Sequence, residues 1–100
     1  MATLRALECL VAVADTGSFT QAARLPHSSQ PAVSHQLAVL ERETRTPLLR
    51  REPRGVTLTP AGRAAVADAR RAIDAAASVV RSARAAMPTV AGRRHAFPRR

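Results

Sequence analysis

The stretch "GSFTQAARLPHSSQPAVSHQL", Gly17 to Leu37, contains two helix starts, and its reading decides the fold. Ser18 followed three residues later by Gln21 is a capping box, in which each side chain satisfies a backbone N–H at the other's end, so a short helix starts at Phe19. It cannot run past Leu25, because Pro26 lacks a donor and pushes the residue before it out of helical geometry. A tight turn follows. Ser28 or Ser29 caps the next helix, and Pro31 fits its first turn, where the N–H groups have no intrahelical partner anyway. Val33, Leu37 and Leu40 then point one way, and Ser34, His35 and Ala38 the other. Two short helices across a tight turn, the second with small hydrogen-bonding side chains at its tip, predict a helix-turn-helix unit.

On the N-terminal side, Leu4, Leu7, Leu10, Val11 and Ala14 recur at helical spacing and give a first helix ending near Asp15-Thr16-Gly17, with Gly17 taking the left-handed turn. Cys9 falls off that stripe and reads as a small, semi-buried filler. On the C-terminal side the helical period fails from Thr46 to Thr59. There Pro47, Pro53 and Gly55 punctuate Leu48-Leu49-Arg50 and Val56-Thr57-Leu58, which predicts a two-stranded hairpin, or wing. Thr59-Pro60 opens an alanine-rich helix that continues to about Met87, before Pro88. Within it Val66, Ala69, Ile73, Ala76, Val80, Ala83 and Met87 are spaced alternately by three and four, a heptad seam with alanine at every second position. The seam suits either an intramolecular core stripe or a second chain. A helix of roughly 40 Å at 1.5 Å per residue outruns so small a head, which favours pairing between chains. The expected organisation is a winged head over 1–59, a linker and dimerisation helix over 60–87, and a basic, disordered tail over 88–100. The fold class is mainly all-α.

Composition narrows the function. The chain has 100 residues, 46% of them hydrophobic and 2% aromatic, which allows one helical domain and argues against a β-sandwich rich in aromatic pairs. All sixteen basic residues are Arg, against seven acids, for a formal net charge of +9. A field of that sign attracts phosphate backbones or anionic lipid, nucleic acid first. Cys9 is the only cysteine, so an internal disulfide is excluded and a reducing cytoplasm fits. No apolar run approaches the roughly 18 residues of a membrane span. His27, His35 and His95 lack metal-ligand spacing, and no nucleophile with an ordered base, paired carboxylates or Gly-rich phosphate loop is present, so neither cofactor, metal nor catalysis is expected.

The uncharged tip suits base edges, since bulky side chains would hold the helix off. Gln30 can pair bidentately with adenine, Ser34 or His35 can reach a base or phosphate, and Pro31 and Ala32 can pack on thymine methyl groups. The helix N-terminus favours a phosphate oxygen near Ser28 and Ser29, while Arg50, Arg51 and Arg54 can bind flanking phosphates or enter the minor groove. Taken singly these features are bland: polar helix tips are usually only solvated, and an Arg cluster is more often plain surface.

In combination, "GSFTQAA", "SQPAVSHQLAVLE", "PLLRR", "RGVTLTPAG" and the helix after them resemble the N-terminal domain of LysR-type transcriptional regulators over roughly residues 2 to 87. The resemblance implies a winged helix-turn-helix on double-stranded DNA, paired as a homodimer through the long helix, with Gln30, Pro31, Ser34, His35 and Arg54 at DNA-contacting positions. Against the family pattern, Pro26 stands in place of a core Leu, Ser28 in place of an apolar residue, Thr44-Arg45 in place of Leu-Gly, and Leu49 in place of Phe. Leu25 is the candidate to swing in for the missing Leu. The family's two-lobed effector domain has no counterpart before "AGRRHAFPRR", so no small-molecule effector site is expected here. Two alternatives stay open: an interaction protein that heterodimerises with full-length relatives, and a non-specific basic nucleic-acid binder.

Overall fold

The computed structural model describes residues 1–26 and 28–87; the expected basic tail, with His95, and His27 lie outside the described residues. Helix α1 spans Leu4–Thr16, α2 Phe19–Ala22, α3 Gln30–Thr44 and α4 Pro60–Ala85, with strands β1 Leu49–Glu52 and β2 Gly55–Leu58 between α3 and α4.

Local chemistry sets most of the boundaries. Thr3 caps α1 by accepting from the Ala6 N–H at 3.1 Å, and Gly17 ends it in the left-handed region at φ 68°. Ser18 Oγ accepts from the Gln21 N–H at 3.1 Å, one half of the expected capping box. The other half is taken over by Thr16, whose Oγ1 accepts from the Ser18 N–H at 3.2 Å. Ser29, not Ser28, caps α3, accepting from the Ala32 N–H at 3.2 Å, with Pro31 in the first turn. The strands pair antiparallel from Leu49↔Leu58 to Glu52↔Gly55. The wing therefore begins one residue later than predicted and runs through Glu52, because Leu48 turns inward and is 2% exposed.

The core gathers on the inner face of each element. Leu10 and Val13 of α1, Phe19 and Ala22 of α2, Val33, Leu37 and Leu40 of α3, and Leu48 form one cluster with Val66 and Ala69 of α4, and Leu25 packs against it partly buried. Two expectations change here. Cys9 is a fully buried core residue rather than a semi-buried filler, at 1% exposed. Val66 and Ala69, expected in a seam between chains, face the head of their own chain, at 6% and 2% exposed. The reason is that α4 lies against α1 for its first turns, where Arg70 also pairs with Asp15 at 2.5 Å. Beyond Ile73, which still lies beside α1, the helix leaves the head, giving a molecule of 62 × 24 × 22 Å. No helix among the described residues is long and apolar enough to cross a membrane.

Candidate nucleic-acid interface

The tip of α3 stands clear of the core. Ser29, Gln30, Pro31, Ala32 and His35 are exposed, whereas Ser34 is half-buried at the rim of a recess of about 120 Å³ shared with Phe19, Leu49 and Arg51. The two faces of α3 explain the placement: Val33, Leu37 and Leu40 anchor one side, and the remaining positions of the first turns must look outward. Ser29 Oγ accepts the cap bond with one lone pair, which leaves its hydroxyl hydrogen free to donate. The side chain of Gln30 is met from α2 by Thr20, whose Oγ1 donates to Gln30 Oε1 at 3.4 Å, leaving the amide N–H₂ unengaged among the described residues.

The wing brings its arginines up beside this tip, but not all alike. Arg51 folds back over the Phe19 ring, its guanidinium carbon 4.5 Å from the centroid, a cation–π contact that pins the hairpin to α2. Arg50, on the opposite face of the same strand, and Arg54, in the turn, are exposed and make no ion pair among the described residues. Strand alternation puts the two side chains on opposite faces: Arg51 lies over the Phe19 ring while staying exposed, and Arg50 points away from it.

Three anchors of the wing could not be read from local pattern. Glu41, near the end of α3, accepts from the Leu48 and Leu49 N–H groups at 2.7 and 3.2 Å and so ties the first strand to that helix. The Val56 N–H donates to the Gly17 carbonyl at 3.0 Å. Thr59 Oγ1 accepts from the Gly62 N–H at 3.0 Å while donating to the Pro47 carbonyl at 2.7 Å, so the α4 cap also closes the wing. A half-buried carboxylate partner for two strand donors leaves no signature in sequence beyond the presence of Glu41 one helix turn from the break.

Of the expected seam, Ile73 and Ala76 are half-buried, and Ile73 lines an open groove of about 700 Å³ with Val11, Ala12, Ala22, Leu25 and Pro26. Val80 and Ala83 are exposed, with Val79 and Met87 beside them at 63% and 67%. Among the described residues no three His, Cys, Asp or Glu side chains converge as metal ligands.

A family model described as bacterial regulatory helix-turn-helix protein, lysR family, matches residues 4–63. The chain belongs to the LysR family. BudR of Raoultella terrigena, an HTH-type transcriptional regulator, is 53% identical over 66 residues, which are 66% of this chain and 23% of BudR. TfdS of Cupriavidus pinatubonensis, another HTH-type transcriptional regulator, is 44% identical over 82 residues, 82% of this chain and 28% of TfdS. The chain thus spans about a quarter of the length of these LysR relatives. Among solved structures, the CbnR DNA-binding domain in its DNA complex shares 39% identity over 84% of this chain and 97% of its own, with a TM-score of 0.78. The BenM DNA-binding domain with catB site 1 DNA shares 34% identity over 83% of this chain and 93% of its own, at 0.77. The winged helix-turn-helix of this LysR chain is therefore that of its regulatory relatives.

Proposed function

We propose that this LysR domain reads a specific DNA sequence by placing the N-terminal tip of α3 in a major groove, as a homodimer paired through the outer part of α4. One observation carries the reading: an exposed, uncharged tip of Ser29, Gln30, Pro31, Ala32 and His35 flanked by the outward arginines Arg50 and Arg54. In this arrangement the arginines bind phosphates without regard to sequence, while Gln30 supplies a base-edge amide and Ser34 the contact next along the groove. Arg51 acts on the wing through Phe19 rather than on DNA. The likeness to the CbnR and BenM domains, each solved on DNA, supports the assignment. The pairing surface runs from Ile73 through Ala76, Val80 and Ala83 to Met87, and Val66 and Ala69 leave it because their own head covers them. A DNA partner places the domain in the cytoplasm.

The test is binding across salt concentrations to a duplex selected from a random pool and to the pool itself. Gln30→Ala is expected to lower the preference for the selected duplex about tenfold, corresponding to one good base contact, with the salt-dependent binding to the pool retained. Equal losses on both duplexes would assign Gln30 to non-specific attraction and remove the reading role. Recovery of mixed dimers with longer LysR proteins and no DNA binding by this chain alone would favour an interaction protein instead.

A further inference from the structure

The turn that leads into α3 is held from behind by one guanidinium. Arg5, in the first turn of α1, donates from Nη2 to the Pro26 carbonyl at 2.9 Å and to Ser28 Oγ, while its Nη1 lies 3.7 Å from Glu8 Oε1 on the same helix. The Ser28 N–H closes the turn by donating to the Leu25 carbonyl at 3.1 Å, and the next residue, Ser29, is the α3 cap. Among the described residues, the other ties near it are the Leu25 N–H donating to the Ala22 carbonyl at 3.2 Å and Leu25 packing against the core. Helix α2 is only four residues long, Leu25 is partly buried, and Pro26 is exposed. The Arg5 guanidinium thus supplies a polar tie to Ser28, at the position where the family pattern carries an apolar residue.

We propose that Arg5 is a positioning residue for sequence reading: by fixing the Leu25–Ser28 turn it sets the angle and depth at which Ser29, Gln30 and Pro31 meet the duplex, without touching DNA itself. The proposal rests on the DNA-reading function above. Base-edge hydrogen bonds are directional and weaken steeply with misalignment, whereas attraction to phosphates tolerates it. A loosened tip therefore loses discrimination and keeps background binding. The guanidinium matters beyond its charge, because both bonds leave one nitrogen, Nη2, whose two hydrogens are fixed in direction by the planar group, whereas a lysine ammonium at the same position is a rotating point charge.

The experiment uses the full chain, with the selected duplex and the random pool measured across salt and thermal unfolding followed in parallel. Arg5→Met, which keeps the stem and removes the donors, is expected to lower the selected-to-pool affinity ratio about tenfold while leaving pool affinity and salt slope unchanged. Arg5→Lys is expected to recover part of the ratio. Ser28→Ala, which spares the guanidinium and its Pro26 contact, should lower the ratio about threefold and be non-additive with Arg5→Met. Should Arg5→Met fail to fold, Ser28→Ala decides the question alone. An unchanged ratio in these variants overturns the proposal, and so does an equal loss on both duplexes with the salt slope reduced by about one, which would make Arg5 a phosphate ligand. Gln30→Ala, run alongside, separates the two claims. If it lowers the ratio and Arg5→Met does not, only the positioning role fails; if it too leaves the ratio unchanged, the DNA-reading assignment fails and takes this proposal with it.

Discussion

Single residues show where this fold has no slack. A Cβ added to Gly62 would lie 2.0 Å from the Leu48 carbonyl oxygen and 3.2 Å from a Leu58 methyl, so α4 can approach the wing only with glycine there. The same carbonyl accepts from the Thr59 N–H at 3.0 Å and cannot move without breaking the junction. Gly62→Ala is expected to destabilise the domain by roughly 3 kcal/mol, at the upper end for overpacking, read from urea unfolding. Cys9 is constrained differently. Burial pushes its thiol above the ordinary range, with Glu8 adding to the effect and Arg5 opposing it. The folded chain holds that proton more tightly than the unfolded chain does. The stabilisation is therefore complete below the ordinary thiol range and is lost as pH rises through it. Cys9→Ala is expected to unfold more easily at neutral pH, from the cavity, yet to show a shallower alkaline decline, measured by urea unfolding at a series of pH values.

At the scale of elements, α3 joins the two halves of the proposed interface. Its first turn is the proposed reading tip, and its last turns carry Glu41, which accepts from two backbone donors of the wing. The helix then ends on Arg45, the one non-glycine residue among those described with a positive φ, at 59°. For a residue with a Cβ the left-handed region costs about 1–2 kcal/mol, part of which glycine returns as unfolded-state entropy. Arg45→Gly, which restores the residue the family pattern carries there, is expected to stabilise the domain by roughly 1 kcal/mol, seen as a raised denaturant midpoint with unchanged slope. Helix starts were legible in the sequence because caps are local: Ser18, Ser29 and Thr59 each satisfy a donor within three residues. The edge of the wing was not, since Leu48 is drawn out of the strand by burial against the core rather than by any neighbour in sequence.

For the whole molecule, the long helix divides into an inner part that its own head covers and an outer part that stands exposed. Its inner part is covered by α1, while Val79, Val80 and Met87 remain 63%, 59% and 67% exposed on the outer part. A row of apolar side chains at helical spacing, held away from the head, is what a second helix of the same kind can bury. Val80→Asp is expected to convert the dimer to a monomer in sedimentation equilibrium while leaving the helical circular-dichroism signal of the head intact. A variant that stays dimeric would move the pairing surface elsewhere, the groove beside Ile73 being the next apolar site. The seam's periodicity could not reveal this division, because a heptad stripe reads the same whether its partner is the chain's own first helix or another chain.

The sequence by itself determined the order and kind of the elements, the caps Ser18 and Thr59, the choice of Ser28 or Ser29 before α3, the uncharged character of the α3 tip and the surplus of arginine beside it, since each depends on residues close together in the chain. Tertiary structure alone decided that Arg51 turns to Phe19 while Arg50 turns outward, that Glu41 holds the wing, that Arg5 reaches the turn before α3, and that Val66 and Ala69 belong to the core. These contacts join residues far apart along the chain or choose one of two faces, and neither spacing nor composition encodes which face meets which.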